Sequence, residues 1–303
     1  MTAKNNIEWH GKSKGGFWGY RFFIFILRKF GISFTYFFIR IVAVYYLFFA
    51  PKAFKVIYYY FKTIHKNRTI KSFFKIYRNY VLLGEVLVDK MASLYGLDYY
   101  FTYNFDGEAS LKEIIDGNKG GILIGAHIGN WEIASHHLNR FKGKVNLLML
   151  DAEQKKIKQL LSNISVNYPE NVNIIVVKND FSHIYEISKA LQNKEIVCIH
   201  GDRFLKESKT KKVNFIGKEA LFSTGPFILA AKFNVPVCYF YGMKESKRHY
   251  HLFAFPSKTD TFRNNKNPQN DMLFEYTSNL EQILRKYPEQ WFNYFHFWEE
   301  EFI

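Results

Sequence analysis

The stretch GILIGAHIGNWEIASHH, residues 121–137, joins an apolar run to an amphipathic segment through a short turn. The run GILIGA has the length and composition of a buried strand, and it stops at His127. Asn130 is a good helix N-cap, so Trp131 and Glu132 would be the first helical residues. A strand followed by a short loop and a helix is typical of a βαβ unit. The stretch therefore predicts a parallel α/β fold with polar side chains in the loop after this strand.

The chain from about residue 99 onwards repeats this alternation. Short apolar runs rich in β-branched and aromatic residues are predicted strands: YYFTYNF, GILIGA, VNLLML, VNIIVV, EIVCIH and VPVCYFYG. Helical patterns lie between them: EASLKEIID, NWEIASHHLNRF, EQKKIKQLLSNI, FSHIYEISKALQ and GPFILAAKFN. We expect one catalytic α/β domain over 96–303, with a largely parallel central sheet flanked by helices. Its chemistry should gather at the carboxyl ends of the strands.

The amino-terminal third has a different character. ISFTYFFIRIVAVYYLFFA, residues 32–50, contains a single charge, Arg40, and approaches the roughly 20 residues that cross a bilayer. A continuous helix would place its basic residues on one stripe and aromatic rings elsewhere, the pattern of a helix lying in the membrane interface. A tilted span with Arg40 reaching the headgroups is the alternative. We therefore expect a membrane-associated helical region over 1–95.

The charge balance indicates an anionic partner. Lys and Arg exceed Asp and Glu by 42 − 27 = 15, which suits acidic lipid, nucleic acid or an acidic protein. The aromatic residues lie in apolar runs and do not alternate with arginine in polar loops, so an anionic membrane surface fits better than nucleic acid. Two cysteines are too few for a disulfide framework, and we expect no metal site. Nucleotide-binding and serine-hydrolase motifs do not occur.

His127 and Glu132 are the first candidates for chemistry. On one continuous helix their spacing would put them about 140° apart, but a loop before the helix lets the carboxylate fold back onto the imidazole. A carboxylate on one ring nitrogen raises the basicity of the other, which makes a general base. Gly129 would leave room for a substrate. An ordinary strand end beside a capped helix is the alternative interpretation.

A second polar pair follows the strand EIVCIHG. Asp202 and Arg203 should lie at the same carboxyl edge as His127, because parallel strands end at one edge of the sheet. The alternative is a salt bridge in a surface turn.

Four segments resemble one enzyme family. His127-Ile-Gly-Asn-Trp-Glu132 resembles the His-x4-Asp/Glu box of the lysophospholipid acyltransferase superfamily and, more narrowly, of the bacterial lipid A late acyltransferases. Residues 201–242 are similar to that family's second region, and YPEQWFNYF (287–295) is similar to its Pro-Glu-Gln signature. GFWGYRFFIFILRKFG (16–31) is similar to its aromatic amino-terminal helix. The resemblance thus covers most of the chain.

The resemblance implies acyl transfer at the cytoplasmic face of the bacterial inner membrane. The donor would be a thioester of acyl carrier protein or CoA, with no other cofactor, and the acceptor a hydroxyl or amine of a membrane lipid such as a lipid A precursor. His127 would be the general base and Glu132 its orienting partner, and the acceptor brings the nucleophile, so no acyl-enzyme forms. Arg203 or backbone amides near Gly129 and Asn130 would bind the oxyanion.

Further substrate-binding residues follow from the same resemblance: Gly129, Asn130, Trp131, Asp202, Arg203, Gly217, Thr224 and Gly225. The family tends to carry basic residues after Pro-Glu-Gln, where this chain has Phe297 and then Glu299 to Glu301. An aminolipid or an aryl-polyene or resorcinol pigment precursor is therefore an alternative acceptor. A non-catalytic lipid-binding protein of the same fold and an acyl-thioester hydrolase are the alternative functions. The sequence does not indicate an oligomeric state.

Overall fold

The computed structural model describes residues 17–130, 133, 143–150, 171–177, 182–204, 208–259 and 266–298. Its strands are β1 (Thr102–Asp106), β2 (Gly121–Gly125), β3 (Val145–Leu150), β4 (Val172–Val177), β5 (Ile196–His200), β6 (Thr210–Phe215), β7 (Lys218–Ser223), β8 (Val237–Ser246) and β9 (His249–Pro256). Its helices, numbered over the described residues, are α1 (Phe17–Phe49), α2 (Pro51–Tyr59), α3 (Thr69–Leu94), α4 (Glu108–Asp116), α5 (Ser182–Gln192), α6 (Gly225–Phe233) and α7 (Pro268–Lys286). A π-helical turn (Tyr60–Ile64) follows α2, and 3-10 turns follow α3 (Asp98–Tyr100) and α7 (Pro288–Gln290).

Seven strands form one sheet in the order β1-β9-β8-β2-β5-β3-β4. All neighbours pair in parallel except β8 and β9, which are antiparallel. The predicted α/β fold with a largely parallel sheet is therefore confirmed. The central strand β2 is buried along nearly its whole length because it has a parallel neighbour on each side and helices against its faces.

Two features of the sheet region were not predicted. Strands β6 and β7 form a separate antiparallel hairpin, and β9 returns along β8 after a tight turn. The two central residues of the β6–β7 turn, Ile216 and Gly217, both have positive φ, 53° and 81°. This is the arrangement of a type I′ hairpin turn. Two of the predicted helices, over 130–141 and 153–164, lie almost wholly outside the described residues.

Helix α1 has one face buried against the rest of the protein and one face exposed. It bends at Gly31, where φ is 76° and ψ is 175°. Beyond the bend, Ile32, Tyr36, Ile39 and Ala43 are buried, at the helical spacing of one face. The opposite face carries exposed large apolar side chains: Phe22, Phe25, Phe30, Phe34, Phe37, Ile41, Val44, Tyr45, Phe48 and Phe49. Among the described helices, α1 is the one that has the length and the apolar composition needed to cross a membrane.

The helices α1 to α3 share a hydrophobic core with the sheet. One cluster of buried side chains contains Tyr36 of α1, Ile76 of α3, Ile124 of β2 and Tyr241 of β8. Gly84 of α3 lies so close to α1 that a Cβ at this position would be 2.6 Å from Ile39 Cγ2. The helical region is thus packed directly onto the sheet, and the division of the chain at residue 95 stays a prediction.

Candidate functional site

The sheet register brings His127 and Asp202 together. Strands β2 and β5 are parallel neighbours, and Gly125 is paired with His200. His127 lies two residues beyond Gly125, and Asp202 lies two residues beyond His200. Because both strands run in the same direction, the two side chains meet at their carboxyl ends. His127 Nδ1 is 2.8 Å from Asp202 Oδ1, and the His127 backbone N–H donates to Asp202 Oδ2 at 2.9 Å.

The carboxylate is buried and the imidazole is partly open. The Asp202 side chain has no exposed surface, whereas 20% of the His127 side chain is exposed. Burial by itself would raise the pKa of the Asp202 carboxyl, but its contacts with His127 and the nearby Arg203 outweigh burial and hold that pKa well below the ordinary value. The indole of Trp291 also donates to Asp202 Oδ2, at 3.3 Å. An ionised Asp202 accepts a hydrogen bond from His127 Nδ1–H, which keeps the proton on Nδ1 and leaves His127 Nε2 as the basic nitrogen.

A second imidazole lies beside that nitrogen. His200 Nδ1 is 3.3 Å from His127 Nε2, and the two rings meet edge to face with centroids 4.3 Å apart. Burial, then the neighbouring His127, lowers the pKa of His200 well below its ordinary value, so this ring is neutral at neutral pH. A neutral imidazole has one donor and one acceptor nitrogen, so His200 can donate a hydrogen bond to an unprotonated His127 Nε2 or accept one from a protonated Nε2, according to its tautomer.

The loop that carries His127 is clamped by the segment after α7. Gly129 N–H donates to the Gln290 carbonyl, and Phe292 N–H donates to the His127 carbonyl, each at 2.9 Å. The Gln290 side chain in turn bonds both backbone groups of Lys244 on β8, at 2.9 and 2.7 Å. These bonds give the Pro-Glu-Gln signature a physical role, because Gln290 joins the His127 loop to β8.

Gly129 and Asn130 have structural roles, and the substrate contact predicted for them stays a prediction. Gly129 has φ +59°, and a Cβ there would lie 2.1 Å from the Gly242 carbonyl oxygen, so glycine is required by the approach of the chain to β8. Asn130 is fully buried, and its Oδ1 accepts from Ile133 N–H as a helix N-cap. Its own N–H donates to the Gly242 carbonyl at 2.7 Å. The predicted oxyanion donors, the N–H groups of Gly129 and Asn130, are thus used within the protein.

The other predicted residues near the strand ends are Arg203, Trp131 and Glu132. Arg203 belongs to the site, since its Nη2 donates to the Phe292 carbonyl at 3.3 Å. Trp131 and Glu132 lie outside the described residues, so the roles predicted for them stay predictions.

Three predicted substrate-binding residues lie on the hairpin and on α6. Gly217 forms the β6–β7 turn. Thr224 and Gly225 begin α6, where the Thr224 hydroxyl donates to the Lys209 carbonyl and Gly225 N–H donates to the Ser223 hydroxyl. The described contacts do not join these three residues to His127.

Sequence reasoning missed three members of the site: His200, Gln290 and Trp291. His200 ends the strand EIVCIH, so the strand-end rule that selected His127 would also have selected it. Gln290 and Trp291 were noticed only as part of a signature. Asp202 was predicted, and its buried carboxylate contacts the His127 imidazole; the substrate contact predicted for it stays a prediction.

Comparison with known proteins gives the context of this geometry. No curated protein matches the sequence. The crystal structure of the 1-acyl-sn-glycerophosphate (LPA) acyltransferase PlsC from Thermotoga maritima is similar, with 13% sequence identity and a TM-score of 0.38, over 81% of this chain and 96% of that chain. The profile of the family described as bacterial lipid A biosynthesis acyltransferase matches residues 3–298. The chain belongs to this acyltransferase family.

Proposed function

We propose that this acyltransferase moves a fatty acyl group from a thioester, of acyl carrier protein or CoA, to a hydroxyl or amine of a membrane lipid, with His127 as the general base. The observation that carries the proposal is the 2.8 Å contact between His127 Nδ1 and the buried carboxylate of Asp202. That contact fixes the imidazole so that Nε2 takes the acceptor's proton. The contact from His200 to Nε2 is 3.3 Å, longer than a strong hydrogen bond, so an acceptor hydroxyl would replace it.

The proposed reaction needs no covalent enzyme intermediate. The acceptor oxygen or nitrogen gives its proton to His127 Nε2 and attacks the thioester carbonyl carbon. The tetrahedral intermediate collapses, the C–S bond breaks, and the leaving thiolate takes the proton from Nε2. Asp202 stays ionised throughout and stabilises the imidazolium. Glu132 is kept in the proposal as a second candidate for orienting His127.

Substitution of His127 tests the proposal. His127→Ala should lower kcat/KM for transfer of labelled acyl groups from acyl carrier protein to a membrane lipid extract by about 10²–10⁴-fold, the usual contribution of a general base. Binding to vesicles should be unchanged. His249→Ala, a substitution on β9, is the matched control and should keep full activity. Undiminished transfer by the His127 variant would refute the proposal.

Two conservative variants separate the candidate orienting groups. If Asp202 orients the imidazole, Asp202→Asn should lower kcat by at least about tenfold more than Glu132→Gln. The reverse order would assign that role to Glu132.

For the acceptor, we propose a lipid A precursor or an aminolipid or pigment precursor. Comparison of the lipids of a deletion strain with those of its parent identifies the acceptor and acyl chain together, since the missing species contains both.

We further propose that α1 lies in the plane of the membrane interface. Its buried face packs on α3, so α1 could not cross the bilayer alone without separating side chains such as Ile39 from Gly84, whereas its exposed aromatic face is suited to the acyl region. Spin labels at Phe34, Ile41 and Phe48 would test this placement, since these exposed residues lie beyond the bend at Gly31 along about 21 Å of helix. In-plane placement gives similar depths at all three positions, whereas a span gives depths that pass through the bilayer centre.

A further inference from the structure

Asn293 lies in the segment that clamps the His127 loop. The preceding residue, Phe292, donates its N–H to the His127 carbonyl and accepts a hydrogen bond from Arg203. Two residues before Asn293, the Trp291 indole donates to Asp202. Asn293 is therefore one peptide bond from a residue that contacts both His127 and Arg203.

The Asn293 side chain is buried without a hydrogen-bond partner among the described residues. Its exposure is 6%, and neither Nδ2 nor Oδ1 is bonded within that part of the chain. An unbonded buried amide destabilises the folded state, and nearly all buried polar groups in native proteins are bonded. Other buried asparagines of this chain follow that rule: Asn79, Asn130 and Asn146 each form hydrogen bonds through the side chain. This exception lies one residue along the chain from the Phe292 N–H that bonds the His127 carbonyl, and its position points to a polar atom of the substrate as the missing partner.

The proposed acyl transfer requires a donor near His127. Attack on the thioester puts negative charge on the former carbonyl oxygen, and such an oxyanion is stabilised by fixed hydrogen-bond donors. The backbone N–H groups of Gly129 and Asn130, which follow His127 in the chain, donate to the carbonyls of Gln290 and Gly242. Because these backbone donors are already used, a side chain is the better source of the hydrogen bond, and a buried amide holds its N–H groups in fixed positions.

We propose that Asn293 Nδ2 donates a hydrogen bond to the carbonyl oxygen of the acyl thioester and strengthens it as that oxygen becomes negative. This inference rests on the proposed acyl transfer at His127. Asn293 gives up no proton in the step, because the acceptor's proton goes to His127 Nε2 and then to the leaving thiolate. Asn293 is thus a substrate-binding donor that acts mainly in the transition state.

Asn293→Leu tests the inference because it keeps the approximate shape of the side chain and removes both polar atoms. Since the native amide is unbonded within the described residues, Tm should stay the same or rise. Loss of one oxyanion donor should lower kcat by about 10²–10³-fold, with KM for acyl carrier protein thioester and lipid changed less than about threefold. The matched control is Asn146→Leu on β3, whose amide bonds Glu195 and the Ile196 carbonyl. The control should lower Tm and keep kcat per folded molecule.

The outcomes separate a substrate-binding amide from a structural one. Retained kcat per folded molecule in Asn293→Leu overturns the inference, whatever the change in Tm. Asn293→Ala covers the case in which leucine does not fit, and it is expected to show the same loss of kcat per folded molecule. Failure of the proposed function can be distinguished from failure of this inference, since it would appear as undiminished acyl transfer by the His127→Ala variant. Failure of this inference alone would appear as an inactive His127 variant beside active Asn293 variants.

Discussion

The Asp202 carboxylate determines the electrostatics around His127. It is buried, yet it accepts hydrogen bonds from the His127 backbone, the His127 imidazole and the Trp291 indole. A buried carboxylate that is fully bonded stays ionised at low cost, and it favours the proton on Nδ1 of the imidazole. The side chain that orients the His127 imidazole, Asp202, thus lies 75 positions away in the chain.

Asp202 should also make the stability of the protein depend on pH. Its folded pKa lies below the unfolded value of about 3.9, so its stabilisation is complete well above that value and is lost as pH falls towards the folded pKa. The free energy of unfolding of the Asp202→Asn variant should therefore be about 1–3 kcal/mol lower than that of the native protein at pH 7. The difference from the native protein should shrink as pH falls below about 5. Denaturant titrations in detergent measure both curves, and parallel curves would contradict the assignment.

Sequence reasoning located His127 but not its contact with Asp202, for a physical reason. A strand end and a helix cap are local signals, and the five-residue spacing to Glu132 is visible along the chain. The contact with Asp202 depends on which strands are neighbours and on their register, Gly125 opposite His200. That information is absent from either strand alone. The same holds for Trp291, which contacts Asp202 although it lies 89 positions further along the chain.

At the scale of elements, the position of α1 depends on a glycine in α3. Gly84 lets α1 approach so closely that Ile39 fills the space of a side chain. On the exposed face of α1, the ring of Tyr45 stacks on Phe49 with centroids 4.4 Å apart, and Phe30 packs on Phe34 with centroids 4.9 Å apart. These ring contacts lie within one helix, so they do not fix its position against α3. The buried face, with Ile39 against Gly84, does so.

Gly84→Val should disturb this contact. The added Cβ would lie 2.6 Å from Ile39 Cγ2, which is too close for two carbon atoms. Overpacking of this kind costs about 1–3 kcal/mol, so we expect a lower free energy of unfolding in detergent. Ile39→Ala in the same chain removes the methyl group that clashes and should restore part of the loss. If the double variant is no more stable than the sum of the two single changes predicts, the close contact is not the cause.

Sequence reasoning predicted the strands β1 to β5 and β8, and it missed β6, β7 and β9. The six predicted strands all correspond to strands of the sheet, and central ones such as β2 and β8 are continuous, buried apolar runs. Strand β6, TKKVNF, is mostly polar and buries only Val213 and Phe215. It forms through its pairing with β7 and the turn at Ile216 and Gly217. Its composition resembles a surface loop, so periodicity alone does not identify it.

At the scale of the whole molecule, a buried polar cluster joins the amino-terminal helices to the His127 loop. Asp89 of α3 is paired with Lys244 of β8 at 2.5 Å and accepts hydrogen bonds from Tyr36 of α1 and Tyr250 of β9. The Tyr250 hydroxyl is in turn 3.3 Å from the side-chain amide of Asn130, the helix cap beyond His127. Helix α1 and the His127 loop are therefore held by one network.

The two charges of this cluster should be strongly coupled. Lys244→Met leaves the Asp89 carboxylate buried without its cation, which costs about 3–5 kcal/mol. Asp89→Asn leaves an unpaired buried ammonium and should also be destabilising. The double variant removes both charges and keeps an acceptor for the tyrosines, so its loss should be smaller than the sum of the single losses by about 1–3 kcal/mol. Unfolding of the three variants in detergent measures this coupling. Additive losses would mean that Asp89 and Lys244 act independently, and the ion pair would then not be what holds α3 and β8 together beneath α1.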